Sequence, residues 1–270
     1  MNIPIAMLHH ISDAPHSSLK PWNIVHQQFL DLLDCIAEKG LTTITFADLE
    51  KGESHKKKVI ITFDDCPASL FDFAIPELIK RNMKAVFYIP TSHIGGYNVW
   101  DTEELNLVEV KLMSADQLTE LMHMGMEIGS HGEQHQRLNT IDAEDAFKEI
   151  IRSKNILEEL LNQPVYSFAH PYAEIPKGYK QMLKRAGYAA AVSIYQSIQN
   201  QYALRRFGIH ESDNKRSISF KLTPLYLRMR QLYDPLLQIQ KIIKSRINQL
   251  RFNQGNLPFL FFFVYNVTGI

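Results

Sequence analysis

The sequence predicts an α/β fold built on a parallel sheet, open or closed into a barrel. Short apolar runs alternate with stretches of helical periodicity roughly 10 to 20 residues long, the pattern of parallel strands joined by crossover helices. Hydrophobic residues make up 45% of 270 positions and charged residues 21%, enough for a sizeable core. Three polar clusters each close an apolar run: Thr62-Phe63-Asp64-Asp65, Ser130-His131-Gly132-Glu133-Gln134-His135 and Phe168-Ala169-His170-Pro171-Tyr172. Sites on such sheets assemble beyond the C-terminal strand ends, so the three clusters are expected to meet on one rim.

The elements follow in order. Ile3 to Leu8 is a short apolar run and the first strand. Val25 to Lys39 carries Phe29, Leu32, Leu33 and Ile36 at helical spacing and stops at Gly40. Thr42 to Thr45 is β-branched, Val59 to Phe63 is an apolar strand, and Pro67 to Arg81 reads as helical. Ala85 to Ile89 is the next buried strand. Ser114 is a suitable N-cap for a helix running to Met124, and Met126 to Gly129 is a strand. Asp142 to Leu161 is a long amphipathic helix, and Val165 to Phe168 a strand. Pro176 to Ala186 is helical, Tyr188 to Val192 a strand, and Leu204 to Phe207 the last strand.

After His210 the character changes. Positions 215 to 254 are rich in Leu, Ile, Arg, Lys and Gln and predict one or two helices outside the sheet. Leu257 to Val264 is strongly apolar but shorter than the ~18 to 20 residues that span a bilayer; a buried strand, a partner-facing patch and an interfacial anchor all fit it. Residues 1–212 are therefore expected to form the main domain, with 213–270 a helical extension packed on it.

Formal net charge is zero, with 29 basic and 29 acidic residues, so nothing global favours nucleic acid. Cys35 and Cys66 are too few for a disulfide framework and read as reduced thiols. Met1 to Met7 lacks the pattern of a secretory signal, so a cytoplasmic location is expected, with the aromatic tail a candidate contact to the inner face of a membrane.

The clusters carry the chemistry. Adjacent residues leaving a strand point in opposite directions, so one of Asp64 and Asp65 can ligate a metal while the other accepts a proton from bound water. Alone, the pair reads more readily as a helix cap before Pro67. His131 and His135 stand four apart, so on a helical turn both imidazoles reach one ion, and Gly129 and Gly132 permit close backbone approach. Pro171 biases His170 towards an extended conformation, which lets the Tyr172 amide point into the cleft as an oxyanion donor; the same turn would also serve simply to cover the barrel mouth. One of His9 and His10 should face this rim. His210, after the last strand, could protonate a leaving amine. His16, His26, His55, His93 and His123 have no such placement and read as surface residues. One carboxylate and two imidazoles, with a water position left open, are a donor set that suits Zn²⁺.

These residues resemble the NodB-type polysaccharide deacetylases, carbohydrate esterase family 4. The resemblance rests on Thr-Phe-Asp-Asp, then Ser-His-x-x-x-His, then Phe-Ala-x-Pro-Tyr, and on the opening Met7-Leu8-His9-His10-Ile11-Ser12 and Thr43-Ile44-Thr45-Phe46; it covers roughly residues 3 to 212. It implies a distorted (β/α) barrel and a divalent metal, usually zinc. It also implies hydrolysis of N-acetyl groups on amino sugars of a polysaccharide, oligosaccharide or lipid-linked glycan. Carried over by position, Asp65, His131 and His135 are the metal ligands, Asp64 the base, Tyr172 the oxyanion amide and His210 the general acid. His9, His170 and Pro171 would line the substrate pocket. The sequence departs from the family at Cys66, which replaces Gly and leaves the turn without easy positive φ, at His170 and at Ala173. Ala189 to Ser193 lacks the fourth motif's Asp and Trp. A small-molecule amidase or cyclic-imide hydrolase, and a catalytically impaired glycan-binding member, are the alternatives.

Overall fold

A computed structural model describes residues 3–52, 57–194 and 199–236. The strands are β1 (Ile5–Leu8), β2 (His10–Ile11), β3 (Asn23–Ile24), β4 (Thr42–Thr43), β5 (Lys58–Phe63), β6 (Val86–Ile89), β7 (Glu127–Ser130), β8 (Ser167–Ala169), β9 (Ala190–Ser193), β10 (Leu204–Arg205) and β11 (Phe207–Gly208). The helices are α1 (His26–Glu38), α2 (Phe46–Glu50), α3 (Ala74–Lys80), α4 (Val99–Leu105), α5 (Ala115–His123), α6 (Ala143–Leu161), α7 (Tyr179–Arg185) and α8 (Lys215–Lys221), followed by a helical stretch over 224–236.

Eight strands form a parallel path, β10-β9-β8-β7-β6-β5-β1-β11, with β4 added on β5. The two ends of that path, β10 and β11, are neighbours in sequence, separated by Arg206 alone. A sheet whose first and last strands are one residue apart must curl round on itself. The result is a nearly closed barrel, though no ladder joins β10 to β11 among the described residues. The predicted last strand, Leu204 to Phe207, is therefore two short strands on opposite sides of the seam.

Alternation along the strands divides the core. Ile5, Ile60, Val86, Tyr88, Ala169, Ala190, Val192 and Leu204 point inward with Ile44 and Phe46, while their neighbours Ala6, Ile61, Phe87, Phe168 and Ala191 pack outward beneath the helices. Both faces are buried, which is why the strands read as continuous apolar runs. The expected cap forms at Ser114, whose Oγ accepts from the Gln117 amide at 3.2 Å, and Asp142 caps α6 in the same way, its Oδ1 accepting from the Asp145 amide at 2.8 Å. Thr45 ends the β-branched run by capping α2 rather than extending β4. The segment from Pro67 to Arg81 divides into a 3₁₀ turn and α3 at Phe73, which lies outside helical geometry. Among the described residues no helix is long and apolar enough to cross a membrane. The apolar Leu257 to Val264 segment lies outside the described residues.

Candidate active site

The clusters converge where β5, β7 and β8 end, around a cavity of about 300 Å³. Asp64 continues from β5, and its amide still donates to Leu8 O at 2.9 Å. Asp65 and Cys66 then both turn left-handed, with φ of 65° and 54°. Asp64 and Asp65 consequently keep separate surroundings while lining the same cavity. The turn takes its positive φ at Cys66 without the freedom a glycine would give. Cys66 adopts the strained conformation and is held there by its thiol donating to Tyr88 O at 3.2 Å and its carbonyl accepting from the Met113 amide at 3.0 Å.

The two histidines converge differently from the predicted helical turn. Residues 131–135 form a loop, with Gly132 at φ 84° and His135 at φ 59°. Glu149 of α6 fixes the loop by accepting from the amides of Glu133 and Gln134 at 3.0 and 2.9 Å. Two amides aimed at a buried carboxylate outweigh the local preference for a regular turn. Gly129 is required for packing, since a Cβ there would stand 2.4 Å from the Tyr88 ring.

Asp65, His131 and His135 offer ligand atoms that all lie within 4.8 Å of one another. Asp65 Oδ1 is 3.6 Å from His131 Nε2 and 3.5 Å from His135 Nε2. His131 Nδ1 lies 2.8 Å from the Ala169 carbonyl, which can only accept, so the proton sits on Nδ1 and the Nε2 lone pair faces Asp65. His135 is held by its rings' neighbours instead, with Trp100 stacked at 4.5 Å and Tyr172 edge-on at 4.6 Å. Burial, opposed by the Asp64 charge, keeps the His131 pKa below its ordinary value, and burial together with His131 holds His135 well below it. Both imidazoles are thus neutral, as a metal requires. Asp65 Oδ1 is buried with no hydrogen-bond donor, and burial with the nearby Asp101 and Asp64 charges pushes its carboxyl well up. An undonated carboxylate oxygen beside two imidazole Nε2 atoms fits a divalent cation.

Asp64 has the opposite surroundings. Arg206 Nη1 and Nη2 donate to its two oxygens at 2.6 and 2.7 Å, and Nη1 also reaches Thr62 Oγ1 at 3.1 Å. Burial would raise the Asp64 carboxyl, but Arg206, with His131 and His9, brings it down to about 2. His9 Nε2 stands 3.9 Å from Asp64 Oδ2. His9 and His10 both line the cavity, and burial depresses them to about 4 and about 3. His170 also lines it, with Nε2 3.1 Å from Tyr202 O and a pKa lowered by burial to about 4. Pro171 leads into Tyr172 and Ala173, both left-handed at φ 55° and 57°. The Arg137 guanidinium covers the Tyr172 ring at 3.7 Å and pairs with Glu174 at 2.8 Å.

His210 does not line the cavity itself. Its amide is held by Asp213 Oδ2 at 2.8 Å in the turn leading to α8, and the residue is exposed with its ring beside Gly208, which pairs with the cavity-lining Met7. His93, expected at the surface, is half-buried with its ring 5.0 Å from Trp100. Arg206 was missed although it carried a signal: a buried arginine in an apolar strand run demands a carboxylate partner. The α4 segment, with Trp100 against His135 and Asp101 in the cavity wall, had no periodicity to reveal it.

The barrel, the strand-end cluster and a trio able to hold a metal ion form the arrangement of a hydrolase of the polysaccharide deacetylase class. Residues 51–191 match the family model described as polysaccharide deacetylase, and the chain belongs to that family. YxkH of Bacillus subtilis strain 168, which bears a provisional polysaccharide deacetylase name, is 25% identical over 76% of this chain and 70% of that protein. The poly-β-1,6-N-acetyl-D-glucosamine N-deacetylase of Staphylococcus epidermidis is 25% identical over 63% of this chain, which spans 60% of that protein's length. The structure of Streptococcus pyogenes deacetylase PplD in complex with acetate superposes with a TM-score of 0.69 at 22% identity, covering 82% of this chain and 98% of that one; it shares the fold.

Proposed function

We propose that this protein removes the N-acetyl group from an amino sugar within a glycan, with a polymer of N-acetylglucosamine as the leading substrate. The observation that carries the reading is the undonated Asp65 Oδ1 facing the Nε2 atoms of two imidazoles, beside an Asp64 carboxylate kept ionised by Arg206. The naming of the staphylococcal relatives for poly-β-1,6-N-acetyl-D-glucosamine supports the choice of polymer. Asp65, His131 and His135 would hold a divalent ion, zinc matching the donor set best, and such an ion supplies Lewis acidity towards the acetyl carbonyl and a more acidic water.

The chain's own groups account for the proton movements. Asp64, ionised at any working pH, takes the proton from the attacking water while Arg206 keeps its carboxylate in place. His9, 3.9 Å from Asp64 and kept neutral at rest by burial, is placed to relay to the departing amine the proton that Asp64 has taken from water. The left-handed turn at Tyr172 would present backbone at the cavity wall for the oxyanion, with His170 lining that wall; Pro171, expected to line the pocket too, is buried behind it and leads the chain into the turn. Leu19, Trp22, Leu105 and Leu107 form an apolar side against which a pyranose face can lie.

The test is acetate release from β-1,6- and β-1,4-linked N-acetylglucosamine oligomers by zinc-reconstituted protein, with Asp64→Asn as control. Release that requires both metal and Asp64 supports the reading. No release from either series by fully metallated protein would sink it.

A further inference from the structure

We propose that Asp234, on the helical stretch over 224–236, is a positioning residue for the reaction: it braces the barrel seam so that Arg206 can hold Asp64. The inference rests on the deacetylase reading of the site and concerns residues beyond the span matched by the family model, which ends at 191.

The seam is the weak point of the barrel. β10 and β11 share no ladder among the described residues, and Arg206, the one residue between them, spans the gap. Its backbone amide donates to Ser193 O at 3.2 Å and its Nε to the same carbonyl at 3.3 Å, while its guanidinium grips Asp64. Neither edge strand can fix that residue through sheet hydrogen bonds to the other. The C-terminal helices do so from outside. Lys221 Nζ donates to Gly208 O at 2.9 Å, and the Tyr226 ring stands edge-on to Phe207 at 6.1 Å, so the β11 side is tied down. On the β10 side Arg205 Nε lies 2.9 Å from Asp234 Oδ2, and Arg230 Nε donates to Asp234 Oδ1. Arg230 also donates to Tyr226 OH at 3.2 Å and to Ile194 O, at the end of β9, at 3.4 Å.

Asp234 is fully buried although it is a carboxylate on the last helical stretch of the described residues, with Oδ1 accepting from Arg230 and Oδ2 ion-paired with Arg205. A buried charge held between two cations fixes geometry more than it adds stability. Arg205 and Arg206 are consecutive in extended chain and point to opposite faces. Anchoring Arg205 outside therefore sets where Arg206 enters the barrel. A shift of about 1 Å in Arg206 would release one of its two bonds to Asp64, and misplacement of that size costs on the order of 10²-fold in rate.

The experiment is a double-mutant cycle on the metal-loaded full chain, with Asp234→Ala and the milder Asp234→Asn, each made alone and with Arg206→Ala. Asp234→Ala should lower kcat by about 10-fold or more and leave KM within about twofold. In the Arg206→Ala background the same substitution should change kcat by less than about twofold, because its effect passes through Arg206. Equal losses in both backgrounds, or an undiminished kcat in Asp234→Ala, overturn the proposal. Amide hydrogen exchange needs no substrate and separates this inference from the reading of the site. In Asp234→Asn the amides of 204–208 should exchange at least about 10-fold faster while those of β5 and β6 keep their protection. Unchanged protection at 204–208 overturns the brace whether or not acetate is released.

Discussion

Asp65 and Glu127 are both carboxylates sunk in the same barrel, one just past the C-terminal end of β5 and the other at the N-terminal start of β7. In a parallel barrel those are opposite ends. At the lower end Glu127 is served on both oxygens: Ala47 N donates at 2.8 Å and Ser167 Oγ at 2.5 Å, which docks α2 as a plug beneath the apolar interior. At the upper end Asp65 Oδ1 has no donor and lies among Asp101, Asp64 and two imidazoles. Burial pushes both carboxyls up, Asp65 much further. A buried acid whose oxygens are met by protein donors is part of the architecture. One left without them is waiting for a partner from outside, and the backbone shows the same division. Asp65, Cys66, His135, Tyr172 and Ala173, all left-handed without being glycine, gather at the upper rim.

Asp65→Ala tests the comparison most severely. It should abolish metal retention, measured by elemental analysis after dialysis, and lower acetate release by on the order of 10³-fold or more. Metal-free Asp65→Ala should be no less stable than chelated wild type, because the residue removed is an unserved buried acid. A full complement of tightly held metal in this variant would break the assignment.

Asp64→Asn separates the two members of the pair. Asparagine keeps the shape but not the charge facing Arg206, so metal content should hold while kcat falls by about 10²- to 10⁴-fold, as for a lost general base. Comparable metal loss in both variants would show that the adjacent aspartates share one role.

Glu127→Ala probes the lower end. It strands the Ala47 amide and the Ser167 hydroxyl, so unfolding in urea should show a loss of about 2 to 4 kcal/mol with metal content unchanged. The pH dependence of chelated wild type sharpens the contrast. A carboxyl raised in the folded state keeps its proton where the unfolded chain, titrating near the ordinary carboxylate value, has lost it. Stability is then greatest below that value and falls as pH climbs towards the folded pKa. Metal binding at Asp65 should flatten most of this slope, and Glu127→Ala should leave most of it. A chelated protein whose stability rises over the same range would contradict the Asp65 environment.

The sequence was most legible where chemistry and periodicity coincide. Asp64 and Asp65 end an apolar run, Ser114 and Asp142 sit at helix starts with side-chain acceptors, and the two histidines flank a glycine. It was least legible where a long-range partner decides the outcome. The spacing of His131 and His135 suggests a helical turn, yet Glu149, arriving from α6, selects a loop. Leu204 to Phe207 reads as one strand because nothing local announces that its halves pair with β9 and β1. His210 follows a strand as His9 does, but Asp213 holds its amide in an exposed turn and it does not join the cavity lining. Arg206 was hidden for the related reason that its partner lies in another motif.

Cys66→Gly is the mildest probe, directed at the strained rim itself. Relief of a left-handed residue should return roughly 1 to 2 kcal/mol. Against this, glycine adds about 0.5 to 1 kcal/mol of unfolded-chain entropy. The variant also gives up a fully buried thiol and its hydrogen bond to Tyr88 O. These contributions offset, so the urea midpoint should correspond to a change within about 1 kcal/mol of wild type, with metal content and kcat preserved. If the rim conformation depended instead on the sulfur contact, the variant would lose metal as well as stability. The strain at Asp65 and Cys66 would then be maintained from the Tyr88 side of the turn rather than by the barrel around it.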